Sequence, residues 1–262
     1  MPIHPAPVPP EDDLEAASGE GLLGRFNFLD YLDELRRRLI ISCAAVVVGF
    51  LLACFFIGPL FRAFLQPLEV LQGGRFIYTD PAEAFLIQLQ VALIAGIVLA
   101  VPVVFFQLWA LAAPALRRFD RGFVVPFVVA ATLFFVAGAV FNHFVVFPIS
   151  WRFLGSFGND YVTFRPKIGP TFSLYVRLML ALGLVFEMPT VVFLLARMGL
   201  ADARFLARHF KYAVLLAFVI SAVVTPTADA FTQTLLAAPM ILLYVISIGV
   251  AWLFKKRRDP AD

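Results

Sequence analysis

Charge is scarce in this chain. Asp, Glu, Lys and Arg make up 15% of its 262 residues, against about 25% in an ordinary globular domain, while 61% are hydrophobic. Several long stretches carry no charge at all: Leu39 to Gly58, Phe85 to Leu116, Gly122 to Trp151 and Ala230 to Phe254. A helix needs roughly 20 apolar residues to cross a hydrocarbon core about 30 Å thick, so each of these can span a membrane. A fifth stretch, between Arg177 and Arg197, is broken only by Glu187. A sixth, Tyr212 to Val224, runs for thirteen residues and ends at Thr225-Pro226.

Other absences narrow the chemistry. The two cysteines, Cys43 and Cys54, both fall in the first stretch, about 16 Å apart along a helix at 1.5 Å per residue. That is too far to pair, and they read as small apolar packing residues. His4, His143 and His209 fall in the N-terminal tail, at an outer helix end and in an inner loop, so they do not converge on a metal. A Gly-rich phosphate loop and a nucleophile motif are both missing. The sequence therefore argues against an enzyme and implies no cofactor. Residues 1–24 lack Lys and Arg but hold Glu11, Asp12, Asp13, Glu15 and Glu20 among several prolines. That excludes a secretory signal or transit peptide and predicts a disordered acidic tail.

What is present is an all-α, polytopic membrane protein with six transmembrane helices. It comprises the tail 1–24, a six-helix domain 25–254 and a basic tail 255–262. Six spans put both termini on one side, and basic residues are retained on the cytoplasmic side. With the N-terminus inside, inner segments hold 15 Lys and Arg and outer segments 6, which gives N-in and C-in. Nucleic-acid binding is a poor competitor, because no soluble domain is left to carry a basic face.

Apolar residues at 28, 29, 32, 35 and 39 predict an amphipathic helix along the inner surface, leading into the first span. Residues 59–84, with Pro59, Pro67 and Gly73-Gly74, predict an outer loop ordered by turns. The third span is expected to stop near Pro148, with an irregular outer loop over 148–172. Gly199-Leu200-Ala201-Asp202 reads as a helix stop followed by an N-cap at Asp202. The last two helices are expected to be too short for the bilayer, thinning it locally. No internal repeat is visible, which argues against an inverted-repeat transporter.

Glu187 is the costliest residue to place. It stands near the centre of its span, where a charged side chain costs about 2.5 to 3.5 kcal/mol on insertion scales. Pro189 should kink the helix there. Glu187 either locks one helix to a neighbour or is a contact point for substrate, proton or partner helix. No other acid and no Lys or Arg lies at this depth, so an internal partner must be neutral: Gln88, Gln90, Thr132 or Gln233. Glu187 is expected to line a groove open to lipid or shallow water. At the cytoplasmic face, Glu34 and Asp120 have a local reading, with Glu34 pairing Arg37 or Arg38 and Asp120 lying among arginines. As a pair they could instead take two guanidinium groups in bidentate hydrogen bonds.

Four motifs then resemble those of the TatC family, the core subunit of the twin-arginine protein translocase. Leu32-Asp33-Glu34-Leu35-Arg36-Arg37-Arg38-Leu39 is similar to its L-x-E-L-R-x-R-L start. Gln107-Leu108-Trp109-Ala110-Leu111-Ala112-Ala113-Pro114-Ala115-Leu116 resembles its Q-x-W-x-F-x-x-P-x-L loop. Phe186-Glu187-Met188-Pro189 resembles its F-E-x-P, and Thr225-Pro226 to Asp229 with Phe231-Thr232-Gln233-Thr234 its T-P-x-D-x-x-x-Q turn. Asp120 stands where the family usually has a glutamate, and Leu111 where it has an aromatic.

The resemblance implies binding of twin-arginine signal peptides through Glu34, Arg36, Leu111 and Asp120. It implies an intramembrane polar or partner contact at Glu187 and Gln233, and structural roles for Pro67, Pro114, Pro189 and Pro226. Its implied partners are folded cargo proteins and small single-span subunits of TatA and TatB type, in a homo-oligomer within a hetero-complex. The implied setting is a bacterial cytoplasmic (inner) membrane, with export driven by the proton gradient. The rival readings are a proton-coupled secondary transporter of a small solute and a structural membrane scaffold.

Overall fold

The computed structural model describes residues 11–72, 80–112, 124–158, 167–197, 201–225 and 229–253. Among them the regular elements are helices: α1 (Glu11–Phe55), α2 (Ile57–Gln72), α3 (Pro81–Ala112), α4 (Val124–Phe141), α5 (Phe147–Gly155), α6 (Ile168–Phe186), α7 (Met188–Arg197), α8 (Ala203–Arg208), α9 (Phe210–Val224) and α10 (Ala230–Leu253). Five continuous apolar stretches are long enough to cross a membrane: Leu32–Phe55, Pro81–Leu111, Val124–Gly155, Ile168–Arg197 and Ala230–Leu253. Phe210–Val224 is a sixth, shorter apolar helix.

Several local expectations are corrected. α1 begins at Glu11, inside the segment expected to be disordered, because Leu14, Glu15, Ala16 and Ala17 are strong helix formers. The surface helix and the first span are therefore one continuous element. The outer segment after α1 is the helix α2, in spite of Pro59 and Pro67. Pro59 stands in the first turn, where its missing N–H costs nothing. Ile57, Leu60, Phe61 and Phe64, spaced i, i+3, i+4 and i+7, pack on the core. That stripe outweighs the prolines.

The third span does not stop at Pro148. A π-turn at Asn142–Val146 joins α4 to α5, and the Phe147 N–H reaches back five residues to the Asn142 carbonyl. The widened coil takes up the register change, and Pro148 then stands in the first turn of α5, where it is tolerated. Asp202 precedes α8 in extended conformation, as expected of an N-cap residue. Of the last two helices only α9 is short. Its 15 residues rise about 22 Å, whereas the 24 residues of α10 rise about 36 Å. The uncharged run of α10 stays helical through Pro239, so it is long enough to span.

The core lies around α6, where Leu178, Leu182 and Tyr175 pack against Phe147 and Trp151 of α5 and Val91 of α3. Large apolar side chains elsewhere point outward, including Leu39, Val48 and Leu51 of α1 and Leu215 and Val223 of α9. Such a surface suits lipid rather than water. Helices meet where side chains are small. A Cβ on Gly49 of α1 would come 2.5 Å from the Gly96 carbonyl of α3, and one on Gly138 of α4 would come 2.6 Å from the Leu182 carbonyl of α6. At the opposite end of α3, the Glu83 carboxylate accepts the Gly169 N–H at 2.9 Å, tying the starts of α3 and α6 together.

Candidate functional site

The antiparallel packing of α1 on α3 sets the first site. Counting eleven residues from Gly49 toward the N-terminus gives Arg38, and eleven from Gly96 toward the C-terminus gives Gln107. The two side chains therefore stand at one height. Arg38 Nη1 donates to Gln107 Oε1 at 3.2 Å. The same guanidinium turns back one helical turn to Glu34, with Nε donating to Oε1 at 2.9 Å and Nη2 donating to the same oxygen. Four more residues along each helix bring Glu34 level with Leu111, which is half-buried.

This corner joins a carboxylate, a guanidinium and an amide across two helices. Glu34 is half-exposed, at 51%, while Arg38 is tucked in at 22%. One face of the carboxylate is therefore held and the other is open. Behind it, Trp109 is buried and packs on Phe127 of α4, with ring centroids 4.5 Å apart, fixing the end of α3. Arg36 lies two residues from Glu34, which on a helix places it on another face, and it is exposed. Asp120 and Pro114 lie outside the described residues. The sequence reading missed Gln107 as a member of the site. Its signal was a lone amide in an apolar run, four residues from Leu111.

The second site is at mid-span, where α6 gives way to α7 through a single residue of tighter turn, Glu187, at the place expected to kink. Its N–H bonds the Leu184 carbonyl at 3.1 Å in a tighter turn, and α7 restarts with its own carbonyl accepting Val191 N–H at 2.9 Å. Pro189, in the first turn of α7, is buried and needs no N–H there. The Glu187 side chain is 4% exposed, so it does not itself face the groove that the sequence suggested. It turns inward toward Thr190 and the backbone at Phe135 of α4, because a carboxyl facing lipid is costlier than one among polar groups. Even so, Glu187 Oε1 and Thr190 Oγ1 make no hydrogen bond among the described residues. The adjoining apolar groove, about 290 Å³, is lined by Phe127, Ala130 and Phe134 of α4, Pro189, Thr190 and Phe193 of α7 and Val250 of α10.

Gln233 is engaged elsewhere than at Glu187. Its side-chain Nε2 donates to the Phe218 carbonyl at 3.0 Å, and its backbone carbonyl accepts from Ser221 Oγ at 2.6 Å. Asp229 caps α10 by accepting the Thr232 N–H at 2.6 Å. These bonds clasp the short α9 to α10, with Pro226 outside the described residues. Pro67 lies within α2. Among the described residues no group of His, Cys, Asp and Glu is arranged to hold a metal.

Residues 30–239 match the family model for the Sec-independent protein translocase protein TatC. The chain belongs to the TatC family. It is 36% identical to the TatC of Carboxydothermus hydrogenoformans over 89% of this chain and 96% of that one. It is 35% identical to the TatC of Escherichia coli K12, over 84% and 86%. A crystal structure described as the twin-arginine translocase receptor TatC superposes with a TM-score of 0.76 at 33% identity, covering 86% of this chain and 99% of that one. A TatC chain is a multi-pass membrane component of a protein translocase rather than an enzyme. Both polar sites above fall inside the matched segment.

Proposed function

We propose that this TatC chain receives twin-arginine signal peptides at its cytoplasmic corner and, with partners, exports folded proteins across a bacterial cytoplasmic membrane on the proton gradient. The observation that carries the reading is the half-exposed Glu34 carboxylate, which already accepts a guanidinium on one side. A group that binds one arginine in this geometry suits another arriving from the cytoplasm. Asp120 supplies the second acid, and Leu111, level with Glu34, flanks the entering chain. The related crystal structure, described as a receptor, supports the same role. The 15 to 6 distribution of basic residues supports cytoplasmic termini.

Small single-span subunits of TatA and TatB type are the partners, in a hetero-complex holding more than one copy of this chain. The groove beside Glu187 supplies their contact, and in transport it opens far enough for a polar residue of a partner helix to reach the buried carboxyl. The test is binding of a labelled twin-arginine peptide to the purified full-length protein. A twin-lysine version should bind about tenfold more weakly, since lysine lacks the fork that matches a carboxylate. Glu34→Ala and Asp120→Ala should each weaken binding, and Asp120→Glu should preserve it. Equal affinity for both peptides would overturn the reading.

A further inference from the structure

We propose that Arg38 is the resident ligand of the signal site: a built-in guanidinium that an incoming arginine displaces from Glu34, and that returns to drive release. The inference rests on the reading of Glu34 as a signal-binding acid.

Three observations support it. Arg38 places two donors, Nε and Nη2, on the one oxygen Oε1. A signal arginine needs both carboxylate oxygens for a forked pair, so it must lift Arg38 off. Next, the pair is asymmetric, with Arg38 at 22% exposure on the helix side and Glu34 at 51%. The competitor is inside, and the open side faces the arriving ligand. Last, Arg38 has somewhere to stay. Its Nη1 already donates to Gln107 Oε1 at 3.2 Å, so a displaced guanidinium remains docked on α3, one bond from its first partner. Arg37 is also within helical reach of Glu34, yet among the described residues only Arg38 closes the ion pair, because only Arg38 is anchored across to α3.

A resident ligand lowers affinity for every cationic peptide by the same factor, since each pays the same displacement. It therefore sets how readily the signal leaves, while the choice between arginine and lysine stays with the carboxylate geometry. It also keeps Glu34 paired between signals.

The experiment measures affinity and dissociation rate of labelled twin-arginine and twin-lysine peptides on the full-length protein in lipid nanodiscs. The variants are Arg38→Gln, Arg38→Lys, Glu34→Gln and the double variant Glu34→Gln/Arg38→Gln. Arg38→Gln should bind both peptides tighter, on the order of 3- to 10-fold, with slower dissociation and an unchanged arginine-to-lysine ratio. Arg38→Lys keeps the charge and loses the fork, so it should shift binding the same way by less. It carries the test alone if the glutamine variant does not fold. In the Glu34→Gln background, Arg38→Gln should have no further effect.

Weaker binding in Arg38→Gln would overturn the proposal and make Arg38 a positioning residue for Glu34. An Arg38→Lys variant identical to the parent would also overturn it, leaving only a long-range charge effect. If Glu34→Gln itself leaves binding unchanged, the signal-site reading fails and this proposal with it. A loss in Glu34→Gln with no gain in either Arg38 variant rejects the resident ligand alone.

Discussion

Gly96 of α3 packs directly on the backbone of Phe50 in α1: a Cβ at Gly96 would come 2.4 Å from the Phe50 nitrogen. This contact sets the distance between two antiparallel helices, and everything at the same register inherits it. Ala53 meets Ala92 in one buried cluster toward the C-terminal end of α1, and Arg38 meets Gln107 toward its N-terminal end. The corner of Glu34, Arg38 and Gln107 is thus positioned by small residues some eleven positions away.

Gly96→Val should therefore act twice. Side-chain bulk has only backbone to push against, so overpacking should cost about 1 to 3 kcal/mol and lower the thermal midpoint in detergent. The same splaying should weaken signal-peptide binding without touching the corner. Gly249→Ala, where nothing lies within 4 Å of the added carbon, is the control and should leave both unchanged. Equal midpoints for the two variants would remove the crossing from the account.

At mid-span, Glu187→Gln keeps a donor and an acceptor for a partner helix and should retain more export than Glu187→Ala. A proton relay would be lost in both. Export is measured with a folded reporter, together with cross-linking of the single-span partners at α7. Equal loss of export in the two variants, with cross-linking unchanged, counts against docking.

Orientation is checked with impermeant thiol reagents in a Cys43→Ala/Cys54→Ala background. Phe157→Cys, exposed beyond α5, should be labelled from outside, and Asp202→Cys should not. Reversed labelling would contradict the N-in, C-in arrangement.

Much of this molecule was legible because charge and hydropathy are read directly by a membrane. The uncharged windows located the long helices, Asp202 announced the start of α8, and Pro189 announced the break beside Glu187. What was missed involved pairings between helices or one local rule overruled by another. Pro59 and Pro67 read as turns, yet the stripe Ile57, Leu60, Phe61 and Phe64 needed a helix to reach the core. Pro148 read as a stop, yet the π-turn before it absorbed the mismatch. Small residues recur every fourth position in α1 (Ala45, Gly49, Ala53) and in α3 (Ala92, Gly96, Ala100), but their register against one another exists only in three dimensions. So does the bond from Arg38 to Gln107.

The central claim is that the Glu34 carboxylate contacts a signal arginine, and a double-mutant cycle measures that contact. Glu34→Gln in the protein is crossed with arginine-to-glutamine changes in the peptide, one signal arginine at a time, and the four affinities are compared. A direct pair predicts a coupling of about 1 to 2 kcal/mol for one of the two arginines. Changes that add within about 0.5 kcal/mol for both arginines would contradict it.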